Sequence, residues 1–266
     1  MADTAVLKSE PAFDQPLKPW QFKWLWGILA QPRATLRRVQ AAEHAIWQLP
    51  LLLIVGLLIV QVLVNAPLKI TQLEQQGGLP NNPNMEWMSP EQIAQLQQAL
   101  EGTKGPVFQY VFPIAGAVLS AVLVWGITAA LLHLFSTLQG GRGSMTRILN
   151  LVAWASVPII LQLVVQIVYV LATGKLIAEQ GLGGFAPMTP DGSVAAHALL
   201  SRVTLYWLWE MVLLMVGVKL FTNINTRKAI LAVVVTAIIV MGLRILPDVI
   251  GAQLGGLTVS QPFPFF

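Results

Sequence analysis

Five stretches of this 266-residue chain are long, apolar and nearly free of charge, and they leave few folds open. Residues 49–66, 107–138 and 148–173 contain no Asp, Glu, Lys or Arg. Residues 203–221 contain Glu210 near the middle and Lys219 at the end, and residues 229–251 carry Arg244 and Asp248 near theirs. A helix needs about 20 mostly apolar residues to cross a bilayer. Strands usually run only about 4–8 residues, and an open sheet edge cannot be satisfied in lipid. The expected fold is therefore all-α, a polytopic membrane protein built as a bundle of five transmembrane helices. Composition agrees: only 11% of residues are charged and 55% are hydrophobic, whereas soluble domains average about 25% charged.

The connections assign sides. Lys and Arg accumulate on the cytoplasmic face of membrane proteins. Residues 1–48, 139–147 and 219–228 share one face and hold eleven of them; the other face holds only Lys69, Lys104, Lys175 and Arg202. The expectation is a cytoplasmic N-terminus and an extracytoplasmic C-terminus. Residues 1–19 read as a disordered tail without the apolar core of a signal peptide, and residues 252–266 as an extracytoplasmic tail.

Residues 139–147 (QGGRGSMTR) have the glycines of a phosphate loop. A Walker loop needs Lys and then Ser or Thr after its last glycine, and here Gly143 is followed by Ser144 and Met145. The stretch reads as a tight turn between the second and third spans, and Pro158 inside the third span is tolerable because neighbouring helices can satisfy the freed carbonyl.

Residues 20–48 mix Trp20, Trp24, Trp26 and Trp47 with Lys23, Arg33, Arg37 and Arg38. Aromatic and basic residues together suit the headgroup layer. Pro32 divides the segment, which predicts two short amphipathic helices at the membrane interface. Trp20, Trp24, Trp26, Arg33, Arg37 and Arg38 are the candidate lipid-interface residues; the alternative is that the segment packs on the helix ends, with its arginines pairing Glu43 or capping turns. The loop 67–106 contains SPEQIAQLQQALEG, where Ser89, Pro90 and Gln92 spell a capped helix start with Ile93, Leu96 and Leu100 on one face, resting on the bundle or on a partner. Loop 174–202, rich in Gly and Pro, reads as irregular.

Charges within membrane spans are functional candidates by default. At about 1.5 Å per residue, Glu210 and Arg244 differ in depth by roughly 6 Å and can meet if their helices are neighbours. Asp248, four residues from Arg244, is a competing partner, and Arg202 can snorkel outward. Glu210, Arg244, Asp248 and Arg202 thus form a candidate intramembrane charge network. It is either an ion-pair lock on helix register or part of an ion path. No zinc motif and no nucleophile elbow occurs, there is no cysteine, and the histidines stand apart at 44, 133 and 197. No enzyme activity, no metal and no cofactor is expected, and the basic residues lie too close to membrane ends to suit nucleic acid.

Three stretches together resemble the Yip-domain family of small five-helix membrane proteins, named for interaction with Ypt/Rab GTPases: ILAQPRATLRRV (28–39), GGRGSMTRILNLVAWASVPIILQ (140–162) and GVKLFTNINTRKAILAVVV (217–235). Order and spacing carry the resemblance, over about residues 20–250. It implies a non-enzymatic scaffold or accessory protein with a cytoplasmic N-terminus. Eukaryotic relatives act in vesicle traffic between ER and Golgi, and some bacterial relatives accompany ABC-type export systems. The short N-terminal region points to a protein of the bacterial cytoplasmic membrane, whose partners would be the lipid bilayer and another membrane protein, such as an ABC-type transporter, or a second copy of itself. The alternative is a small transporter or channel using Glu210 and Arg244. Against it, five spans do not divide into inverted halves.

Overall fold

The computed structural model describes residues 20–42, 44–75, 89–103, 105–186 and 193–255. Among them there is no strand; nearly every residue is helical. Ten α-helices follow in order: α1 (Phe22–Ala30), α2 (Pro32–Ala41), α3 (Gln48–Gln75), α4 (Pro90–Thr103), α5 (Phe112–Leu138), α6 (Met145–Ala155), α7 (Val157–Thr173), α8 (Val194–Arg202), α9 (Leu205–Thr222) and α10 (Thr226–Gly255). Five segments are long and apolar enough to cross a membrane: Gln48–Gln72, Val107–Leu138, Met145–Thr173, Leu205–Thr222 and Thr226–Gly251. They correspond one to one with the apolar runs of the sequence.

The third span is two helices. Pro158 has no amide proton to give to the Trp154 carbonyl, and its ring crowds that turn. The chain breaks at Ser156, and α7 restarts with Pro158 in its first turn, where the missing donor costs nothing. The lower half, α6, lies at the centre of the molecule, with Ile148, Asn150, Leu151 and Trp154 fully enclosed. It packs between α5 and α9, while α7 packs against α3 and α9, and α10 closes the bundle against α5 and α9. The core is therefore Leu, Ile, Val and Trp at the basic end of the bundle.

The glycine-rich turn serves packing, as its motif mismatch implies. Gly140 takes φ +88°, which favours glycine. A Cβ on Gly141 would stand 2.8 Å from the Ser136 carbonyl oxygen. That closeness lets the Arg142 amide reach the Thr222 carbonyl at 3.1 Å and the Lys228 ammonium donate to the Gln139 carbonyl at 2.8 Å. The α5–α6 and α9–α10 turns are thereby tied together. Ser144 caps α6 by accepting from the Arg147 amide.

Two expectations about the other end need correction. Loop 174–202 is not irregular throughout: Ser193 accepts from the Ala196 amide and starts α8, an N-cap that the nearby Gly and Pro obscured. The first span also does not stop at residue 66. α3 runs through Pro67 to Gln75. The capped start at Ser89 is present as read, with reciprocal bonds between Ser89 and Gln92. α10 continues to Gly255, four residues into the expected tail 252–266; the rest of that tail, the tail 1–19 and Glu43 lie outside the described residues.

Candidate functional site

Two groups of residues stand out, one at each level of the bundle. At the basic end, α1 and α2 fold as the two short helices expected on either side of Pro32. Thr35 packs so closely on Gly27 that a Cβ there would meet its hydroxyl at 2.6 Å. Ile28, Leu36 and Val39 are buried, so the inner face of both helices belongs to the core. Gln40 donates to the Leu220 carbonyl at 2.8 Å and caps the end of α9. Behind α2, the loop into the first span is held by one side chain that no local pattern singles out. Asn150 accepts from the Ile46 amide at 2.9 Å and donates to the His44 carbonyl at 2.9 Å. The Trp154 indole adds a bond to the Ile46 carbonyl at 3.1 Å.

The outer face of this clamp is basic and aromatic. Arg33, Arg37 and Arg38 are exposed, as are Trp20 at 54% and Trp26 at 73%. Trp24 departs from that set. It is 7% exposed, with its ring 5.6 Å from Trp154. On a helix this short, positions two apart point to different faces, so Trp24 and Trp26 cannot both face outward. Trp24 is a core residue and not a lipid-interface one.

The second group lies within the membrane spans. Glu210, in the second turn of α9, accepts a hydrogen bond from the Ser156 hydroxyl. That hydroxyl is also 3.0 Å from the Val152 carbonyl. The hydroxyl thus sits between the third span's own backbone and Glu210. The break that Pro158 forces in the third span thus supplies the donor for Glu210. On its other side Glu210 lines a cavity of about 50 Å³ between α5, α9 and α10, shared with Arg244, Thr128, Thr236 and Trp207. Thr236 is buried and its hydroxyl has no partner. Glu210 and Arg244 face the same cavity without forming an ion pair.

Asp248 belongs to Arg202. Their nearest charged atoms are 2.6 Å apart, and the same guanidinium nitrogen donates to the Arg244 carbonyl at 2.7 Å. Arg202 therefore does not snorkel away; from the end of α8 it reaches across to staple α10. The hydrogen-bonded ion pair of Asp248 is with Arg202 and not with Arg244 on its own helix. The sequence placed these four charges together, but their pairing came from Ser156 and α8, neither of which the apolar pattern revealed. No group of three or more His, Cys, Asp or Glu suited to a metal occurs among the described residues.

Among curated proteins and among solved structures, none matches the chain. The family model described as the Yip1 domain matches residues 26–246, taking in both the α1–α2 clamp and the charged spans. The matched region runs from α1 to α10 and includes all five spans in whole or in large part, so the chain is an integral membrane protein belonging to the Yip1 domain family.

Proposed function

We propose that the protein is a non-enzymatic membrane scaffold or accessory protein, assisting membrane traffic or an ABC-type export system. The size of the cavity at Glu210 carries this reading. About 50 Å³ has room for a few waters at roughly 10–15 Å³ each, and none for an organic solute. Of the two charged residues that line it, Glu210 is bonded to Ser156 and so joins α9 to the third span. Reconstituted into vesicles, the protein is expected to pass no solute and no protons above the protein-free background, and affinity purification is expected to return an integral membrane partner in fixed ratio. Proton-coupled flux that disappears in Glu210→Gln would instead establish the transporter reading.

The proposed setting is the bacterial cytoplasmic membrane, with the clamp on the cytoplasmic side. The absence of cysteine makes the test direct. Ser144 and Ser193 are exposed at opposite ends of the bundle. A membrane-impermeant thiol reagent is expected to reach Ser193→Cys in intact cells and Ser144→Cys only in inverted vesicles. Labelling of both from one side would refute the topology.

On that side Arg33, Arg37 and Arg38, with Trp20 and Trp26, face the headgroups of anionic lipid. Each basic residue near such a surface is worth about 1 kcal/mol, less in salt. Changing the three arginines together to Gln is expected to lower the enrichment of spin-labelled anionic lipid around the protein, with little effect on zwitterionic lipid. Unchanged enrichment would make the exposed face a protein-docking surface.

A further inference from the structure

At the end of the bundle away from the clamp, a groove of about 310 Å³ runs between α7, the start of α9 and the segment 177–182 folded over them. Its wall is set by backbone geometry. Gly181 has φ +54°, and a Cβ there would lie 2.6 Å from the Val203 carbonyl oxygen. The next residue, Leu182, donates its amide to the Leu200 carbonyl at 3.0 Å. The segment is therefore held against α8 and the entry to α9.

Polar side chains line the floor in an unusual state. The Thr204 hydroxyl accepts from the Trp207 amide at 3.1 Å and donates to the Gln162 side-chain oxygen at 3.1 Å. The Gln166 oxygen accepts from Gln61 at 2.9 Å. Both glutamines line the groove with their oxygens engaged, so what each has left to offer a ligand is its NH₂ group. One turn apart on α7, they form a pair of donors on a helix whose neighbouring Val165, Val168 and Tyr169 are exposed. Among the described residues Glu179 is the only charged side chain lining the groove, and it is 43% exposed. The His197 Nδ1 lies 3.9 Å from it and is already bonded to the Ala186 carbonyl at 2.8 Å. Ile177, Leu182 and Leu205 supply the apolar sides.

Unpaired amide donors within a membrane-level groove call for a ligand rich in oxygen acceptors. A carboxylate in the lining calls for a cation that can donate hydrogen bonds. The apolar sides call for hydrocarbon. We propose that this groove binds one glycerophospholipid with a primary ammonium headgroup, of the phosphatidylethanolamine type. Phosphate and ester oxygens take the Gln162 and Gln166 amides, the ammonium takes Glu179, and an acyl chain lies along Val165 and Leu205. This site is independent of the scaffold reading and of the arginine clamp at the opposite end.

The test is native mass spectrometry of the purified full-length protein, titrated in detergent with palmitoyl-oleoyl phosphatidylethanolamine, phosphatidylcholine or phosphatidylglycerol. One phosphatidylethanolamine is expected to be retained about tenfold more tightly than phosphatidylglycerol, with phosphatidylcholine between them because its quaternary nitrogen has no proton to donate. Glu179→Gln, at an exposed position, is expected to bring the ethanolamine and glycerol lipids within about twofold of each other. Gln162→Leu combined with Gln166→Leu is expected to weaken all three lipids together. Equal binding of the ethanolamine and glycerol lipids by the unaltered chain, or a preference that survives Glu179→Gln, overturns the proposal.

Discussion

Asn150→Leu is expected to loosen the whole clamp. Asn150 has no exposed surface, and its side chain satisfies both the Ile46 amide and the His44 carbonyl. Leucine is close in volume but satisfies neither. The Ile46 amide, whose bond is buried, is then left unsatisfied at about 1–3 kcal/mol, so the expected loss is about 2 kcal/mol, near a 6 °C fall in melting temperature for a chain of this size. Because the bonds tie residues 44–46 to the core, protease cleavage between α2 and α3 should rise before global unfolding. A melting temperature within about 2 °C of the unaltered protein would show that the loop is held by other contacts.

The second large effect is expected at the opposite end. Arg202 and Asp248 are 12% and 22% exposed in their side chains, so removing one leaves a largely buried charge alone. Breaking such a pair costs about 3–5 kcal/mol. Arg202→Met is therefore expected to lower the melting temperature by about 10 °C. Arg202→Met with Asp248→Leu should recover most of that loss, since replacing both partners by apolar groups is often neutral. Equal losses in the single and double variants would mean that the bond to the Arg244 carbonyl, and not the ion pair, holds α8 to α10.

The five spans were legible because lipid imposes a composition on any helix that crosses it, and that composition survives in a single sequence. The α1–α2 clamp was legible for a similar local reason: Pro32 can begin a helix but not continue one. Trp24 was misplaced because composition says what a short amphipathic segment contains, not which of two aromatic positions turns inward. The charge network was found as a set, since charge within a span is conspicuous, but its pairing depended on Ser156 and on α8. A serine in an apolar run and a helix beside Gly-rich sequence carry little signal of their own. Asn150 lay within an uncharged run, and its role depends on a loop more than a hundred residues earlier, a separation that no local pattern reports.

The central position of α6 has a consequence for how this sequence can drift over time. Half of the third span, 50%, is buried within the protein, against 11% of the second. Along α5 the filter on a new residue is the bilayer, which tests for greasiness and ignores shape. Along α6 the filter is volume, since Leu151 and Trp154 are enclosed on every side. Two segments with the same hydropathy, 2.2, therefore evolve under different rules: the rim helix free to exchange Leu, Val, Ile and Phe, the axial one held to particular side chains even though lipid would accept many others.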